Sequence, residues 1–401
     1  MNKLYLVIFI IFVSCKFNKS PIVEEINFDF VNSNGQPSLV SNGNNLSLSW
    51  ISQSSNNDAI LNFSQYKDGF WMKPKLITSG DNWFVNWADF PTHSINNDLV
   101  LSSHLKKSGK GTYDYDIIMN LKKINGETIK SNFILNNDGV KAEHGFVSIT
   151  NDESEGFFVT WLDGRNMSIN NMNSNHNPMT IRFAQITKEG EIINDTELDS
   201  MTCECCQTSV TKTDKGPIVV YRDRNKSEIR DIYITRSILG DWDNPKPVNN
   251  DNWKINGCPV NGPKVVSSSS NLAVAWFTIS NNQPVVNVAF SNDYGLNFNN
   301  PIKLNDFDPI GRVDVDFLNK KEVIVSYIEN DQNGSFLRIK KVNIDGSSSK
   351  YVTVGKIDGK RSSGVPQLEV IGNEIFIVWT ISKNENETTL KSVKINQKNI
   401  F

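Results

Sequence analysis

The sequence predicts an all-β protein, specifically a β-propeller built from four-stranded antiparallel blades. Three observations lead there. Short runs of alternating apolar and polar residues, bounded by Asn, Gly, Asp and Pro, dominate the chain, while the 3.6-residue period of an amphipathic helix is missing nearly everywhere. One strand motif recurs at a near-constant interval. Each recurrence sits in a unit with material for four strands.

The recurring motif is an alternating strand that ends in an aromatic residue. LSLSW ends at Trp50, FFVTW at Trp161, PIVVY at Tyr221, LAVAW at Trp276, VIVSY at Tyr327 and IFIVW at Trp379, and a weaker copy, LVLSS, ends at Ser103. Successive positions lie 53, 58, 60, 55, 51 and 52 residues apart. A period of this size made only of strands argues for radial repetition. After each motif come a loop, a second alternating run such as MTIRFAQI or VVNVAFSN, a tight turn, and a short fourth strand such as KPKLI or PIKL. Before each motif lies one further strand, such as PSLVS or KVVSS. The count favours seven blades; six is the alternative, with the weak second copy as a pseudo-unit. The last unit ends near Gln397 without its outermost strand, which residues 23–31 (VEEINFDFV) are expected to supply. That closure leaves no open edge between the first and last blades.

The N-terminus reads MNKLYLVIFIIFVSC. Its apolar run, Leu4 to Val13, is too short to span a bilayer as a mature helix. The layout resembles a bacterial lipoprotein signal peptide with Cys15 as the lipidated residue. The expected organisation is a signal peptide over 1–14, a tether over 15–22 and the propeller over 23–401. The resemblance implies export and a lipid anchor, with the outer membrane as the address because Lys16 is not a retention Asp. An ordinary secretory signal with a chance cysteine would export the chain as well.

Export bears on the remaining cysteines, since disulfides persist outside the cytoplasm. With Cys15 lipidated, four are left: Cys203, Cys205 and Cys206 in TCECCQTS, and Cys258 in INGCPVNGP. In a propeller these segments lead into neighbouring blades on one face, so a bridge from the triple to Cys258 is geometrically reasonable. A second bridge inside the triple would be strained. The disulfide reading needs no cofactor. The alternative is a thiolate site for Cu(I) or Zn, although the run lacks the paired C-x-x-C spacing of a zinc knuckle. His93 and His144, in loops of the same kind, could join such a site.

The net charge of −3 gives no basic field for nucleic acid. One turn, SNDYGLNF, matches S-x-D-x-G-x-x-[WF] through Ser291, Asp293, Gly295 and Phe298. It resembles the Asp-box of the sialidase-like (BNR-repeat) propellers, a structural turn, and the resemblance extends over the repeat pattern of nearly the whole mature chain. It implies that chemistry belongs to the face opposite that turn, on the loops leading into first strands and those joining second to third strands. Those loops carry Asp163 and Arg165 (LDGR), Arg222, Asp223, Arg230 and Asp231 (RDRNKSEIRDI), and Arg312 and Asp314 (GRVD). Converging guanidinium groups suit a carboxylate; alternating Arg and Asp can equally satisfy one another.

Sialidases use three arginines on the substrate carboxylate, a Tyr–Glu nucleophile pair and an Asp acid/base. The resemblance therefore implies Asp89 as acid and Tyr221 with Glu228 as the pair, with Trp83 and Trp87 stacking on sugar or packing the rim. The chain departs from the pattern at the family's F/Y-R-I-P motif: the corresponding stretch, NGQPSLV, has no Arg. The expected function is binding of an acidic glycan or other carboxylate ligand at the axial face, with exo-α-sialidase activity open. The alternative is a non-enzymatic envelope scaffold centred on the cysteines.

Overall fold

The computed structural model describes residues 22–30, 34–53, 58–152, 154–167, 178–383 and 387–401. The expected signal peptide, Cys15 and most of the tether lie outside the described residues. The described chain forms seven antiparallel sheets, each with four strand positions. Their innermost strands are Asn34–Asn42, His93–Asn96, His144–Asn151, Ser209–Thr213, Lys264–Ser268, Asp308–Asn319 and Gln367–Ile371, which define blades 1 to 7 in that order. Each innermost strand contacts the next, and that of blade 7 contacts that of blade 1. The ring is thus a closed seven-bladed propeller, and the six-blade alternative is set aside.

Closure comes from the N-terminal segment. Glu24–Ile26 pairs with Thr388–Asn396, placing Glu25 opposite Val393 on the outer edge of blade 7. The pairing is shorter than the 23–31 run suggests. Phe28 and Phe30 leave the sheet and pack on Trp50 of blade 1, with ring centroids 5.2 and 5.3 Å away. One short segment therefore fastens both blades at the seam.

Alternation in the strands places one apolar row on each side of every sheet, and the rows of adjacent blades meet. A separate buried cluster fills each of the seven junctions. The repeated aromatic always faces the preceding blade: Trp161 joins the blade 2–3 cluster, Trp276 the blade 4–5 cluster and Trp379 the blade 6–7 cluster. Two of these buried indole N–H groups find acceptors, Trp161 on Asp163 at 2.8 Å and Trp276 on Asp251 at 2.7 Å, whereas that of Trp379 has none among the described residues.

The weak second copy is a complete blade read one residue out of step. In its second strand, Leu99–Lys107, Leu101 and Leu105 face blade 3, whereas Val100 faces blade 1. His104, and not Ser103, thus occupies the aromatic position. Trp83 from the preceding loop stacks on it with ring centroids 4.0 Å apart, so the missing aromatic is supplied from outside the strand.

Candidate functional site

Antiparallel order sends the loops that lead into first strands to the same face as the loops joining second to third strands. On that face the outermost strand of blade 3, Ile192–Thr202, runs directly into the cysteine turn that leads into blade 4. The Cys203 N–H donates to the Arg222 carbonyl at 3.1 Å, and an isolated bridge joins Thr202 to Asp223. Cys203 and Cys206 are buried, Cys205 is half-buried and Cys258, on the loop leading into blade 5, is exposed. None of the four is bonded to another. Cys203 Sγ lies 3.6 Å from Cys206 Sγ and 3.9 Å from Cys205 Sγ, and the Cys258 thiol is within reach of Cys205. Gln207 fixes the turn, donating to Ala88 O at 2.7 Å and accepting from Gly262 N at 2.9 Å. The approach at Gly262 admits no side chain: a Cβ there would stand 2.2 Å from Gln207 O.

Hydrogen bonds from Cys205 and Cys206, with the charges of Arg230 and Arg222, hold the Cys203 thiol well below its usual range. Arg230 Nη1 donates to Cys203 Sγ at 3.2 Å and to Glu204 at 3.0 Å, while Nη2 donates to Glu228 at 2.9 Å. Arg224 bridges the same two glutamates. Glu228 therefore sits in an ion-pair network rather than beside Tyr221. Tyr221 belongs to the blade 3–4 core, its hydroxyl donates to Asp199, and burial raises its pKa well above the ordinary value. The nucleophile pair expected from Tyr221 and Glu228 does not form, because Tyr221 is the repeat's packing aromatic.

The arginines divide into two kinds. Arg222 is buried and ends on carbonyls, donating to Asn261 O, Arg230 O and Phe277 O at 2.7–3.1 Å, with its guanidinium 4.8 Å from the Trp253 ring centre. Arg312 donates to Lys360 O, Gly364 O and Ser363 Oγ at 2.8–3.0 Å and lies 4.7 Å over the Trp87 ring. Burial lowers its pKa to about 10. These two are clamps between loops, and Trp87 packs the rim, so neither arginine is presented to a ligand. Arg165, by contrast, stands partly exposed in a bidentate pair with Asp163, both contacts 2.8 Å. Burial opposes the Asp163 charge, but Arg165 and His144 hold its carboxyl below the usual range.

The remaining expected residues take structural places. Asp231 accepts from Asn252 N and Trp253 N at 2.9 and 3.0 Å. Asp223 is buried, and burial with the neighbouring Asp199 charge raises it to about 7. Asp314 accepts from Leu368 N at 2.9 Å and faces Lys264 at 3.4 Å in the axial channel, a cavity of about 210 Å³ lined by the innermost strands. His93 lies in the wall of that channel, bonded to Ser47 and Ser49 and driven down to about 3 by burial. His144 contacts Tyr115 O at 3.1 Å through Nδ1 and Asp138 at 3.0 Å through Nε2. The ring nitrogens of both histidines are engaged by these partners, and neither histidine belongs to the cysteine cluster.

Asp89 finds partners that sequence reasoning missed. Tyr115, the first residue of the third strand of blade 2, donates to Glu143 at 2.8 Å and lies 3.1 Å from Asp89 Oδ2. The other Asp89 oxygen accepts from Phe146 N at 2.6 Å. Gly145 makes room, since a Cβ there would fall 1.9 Å from Asp89. One phenolic proton serves one acceptor at a time, so holding the three groups together calls for a second proton on one carboxyl. Both carboxyls are raised accordingly: Asp89 to about 8 by burial and the Glu143 charge, Glu143 to about 7 by burial and the Glu204 charge. Glu143 is partly exposed, and its carbonyl accepts from Gly164 N at 2.8 Å, which brings Arg165 to the same rim. The signal lay in topology: Tyr115 and Glu143 both border loops of this face, yet Tyr115 reads as an ordinary strand residue.

No protein-family profile matches the chain, and neither does any curated relative. Solved structures do. An ulvan lyase of polysaccharide lyase family PL25, bound to -[GlcA(1-4)Rha3S]-, is 10% identical, with 93% of this chain and 96% of that chain covered at a TM-score of 0.56. The polysaccharide lyase Uly1 is 9% identical, covering 93% and 92% at 0.54. The NanB sialidase from Streptococcus pneumoniae is 13% identical, covering 95% and 71% at 0.47. At these identities the likeness is one of fold.

Proposed function

We propose that the protein is an exported lipoprotein, anchored by Cys15 in the outer membrane, whose loop-rich face binds an acidic glycan and handles a proton there through Asp89, Tyr115 and Glu143. The observation that carries this reading is the Tyr115 hydroxyl held between two carboxyl groups whose pKa values are pushed to about 8 and about 7. A carboxyl with a pKa near neutrality is suited to general acid–base work. Glu143, the exposed member, is the group that would meet substrate; Asp89 and Tyr115 are buried and set its protonation. Arg165 and Arg224, on the same rim, supply cations for an anionic sugar. The kinship of fold with enzymes named for acting on polysaccharides supports the substrate class.

The test is calorimetric binding and turnover with a panel of uronate polysaccharides and a fluorogenic sialoside. Glu143→Gln is expected to lower turnover by about 10²–10⁴-fold with binding retained. Wild-type protein that neither binds nor converts any acidic glycan sinks the proposal. Cys15→Ser is expected to move the protein from the membrane to the soluble fraction.

A further inference from the structure

Three sulfurs from four consecutive residues converge, all within 4.8 Å of one another. We propose that Cys203, Cys205, Cys206 and Cys258 form a site for a single thiophilic d¹⁰ cation, Zn(II) or Cu(I). The inference is independent of the glycan reading.

Spacing is the first argument. A tetrahedral centre with metal–sulfur bonds of about 2.3 Å sets its ligand sulfurs about 3.8 Å apart. Cys203 Sγ lies 3.6 and 3.9 Å from Cys206 Sγ and Cys205 Sγ. A disulfide needs about 2.05 Å.

The donor set is the second. Glu204, inside the turn, is taken up by ion pairs with Arg224 and Arg230. His93 and His144 are engaged elsewhere. Only sulfur is left, which selects soft cations over Ca(II) or Mg(II).

Surroundings are the third. The Arg230 guanidinium touches Cys203 Sγ at 3.2 Å and offsets the negative charge of a thiolate cluster, as an outer-shell partner does. Cys203 and Cys206 form a buried floor, while exposed Cys258, on the blade 5 loop beside Cys205 but outside the group of three sulfurs within 4.8 Å of one another, would close in as the fourth ligand and marks the path by which metal arrives. The Gln207–Gly262 contact holds the two loops together before any ion binds. A bound ion would fasten blade 4 to blade 5 at the rim where Glu204 and Arg230 stand.

The experiment uses full-length protein purified without chelator, with metal content measured by mass spectrometry. The reduced, stripped protein is then titrated with zinc chloride, and with Cu(I) against a competing chelator. About one ion per chain is expected, with the two titrations deciding which cation binds tighter. Cys258→Ser, at an exposed position, and Cys205→Ser, at a half-buried position against the blade 3–4 core, are expected to weaken binding by about tenfold or more. Circular dichroism of both variants separates lost binding from lost folding. Failure of the reduced protein to bind either cation overturns the proposal. So does an intact mass showing four cysteines consumed in two disulfides in protein taken from the envelope.

Discussion

Arg222 and Arg312 share one face of the propeller with Arg165 and Arg224, yet the two pairs do different jobs. The first pair ends on backbone carbonyls and lies over tryptophan rings. The second ends on carboxylates and stays partly exposed. A carbonyl cannot move without its loop, so an arginine bonded to carbonyls fixes loop geometry. A rim carboxylate is a side chain that can exchange one cation partner for another. The arginines that suit a ligand are thus the ones already paired with acids.

The sharpest way to break this comparison is to remove a clamp. Arg312→Ala takes a donor from the Gly364 carbonyl, from the Lys360 carbonyl and from the Ser363 hydroxyl, the last two keeping their bond to each other, and leaves Trp87 uncovered. Buried unsatisfied groups cost about 1–3 kcal/mol each before relaxation. Arg312→Ala and Arg222→Ala are each expected to lower the unfolding free energy by about 3 kcal/mol or more, read by urea denaturation. Arg224→Ala should cost about 1 kcal/mol or less, as a partly exposed ion pair does, and Arg165→Ala more than that, because it takes a charge partner from the buried Asp163 carboxylate, while both weaken glycan binding. Equal losses across all four would erase the distinction.

A smaller effect sharpens the comparison through pH. Asp89 has a folded pKa of about 8 against 3.8 unfolded, so its protonated form is the one the fold favours. The stability it contributes is complete below about pH 4 and is lost as pH rises toward 8. Glu143, at about 7, adds loss in the same direction. Asp89→Asn is expected to flatten the fall in stability between pH 5 and 8, by on the order of 1–3 kcal/mol at the alkaline end. Denaturation midpoints of wild type and variant at three pH values check this; parallel curves would place the extra proton elsewhere.

The contrast also explains what could be read from sequence. The seven blades were legible because the aromatic-ended strand repeats at a near-constant interval and turn residues bound every copy. Even the miss at Ser103 was a shift by one, caused by His104 standing in for an aromatic that Trp83 completes from a loop. Topology likewise put Asp89, Arg165, Arg230 and the cysteines on one face. Partner choice was not legible. Whether an arginine meets a carbonyl or a carboxylate depends on how loops from different blades lean together, as Arg312 of blade 6 reaching the blade 7 loop shows. Tyr115 hid for the same reason: its hydroxyl lies between Asp89, 26 residues earlier, and Glu143, 28 residues later.

The smallest expected effect lies on the opposite face. There the Asp293 side chain of the Ser291–Phe298 turn bonds inside its own turn, while the turn's backbone meets blade 4, Tyr294 O accepting from Arg236 Nη1 at 3.2 Å and Leu296 O from Lys246. Asp293 accepts from Asn297 N at 2.9 Å and Asn297 Nδ2 at 2.8 Å, and Ser291 Oγ donates to Asp293 at 2.7 Å. Gly295 holds φ at +77°, and Phe298 packs on the blade 4–5 core. The side-chain partners of Asp293 all lie within one turn, so the loss is local. Asp293→Ala is expected to cost about 1 kcal/mol, the worth of a local side-chain cap on exposed backbone, and to leave metal and glycan binding unchanged. Denaturation and calorimetry on the same preparation test both halves. A change in binding would mean that the two faces are coupled through the blade, and the division between a structural face and a chemical face would have to be given up.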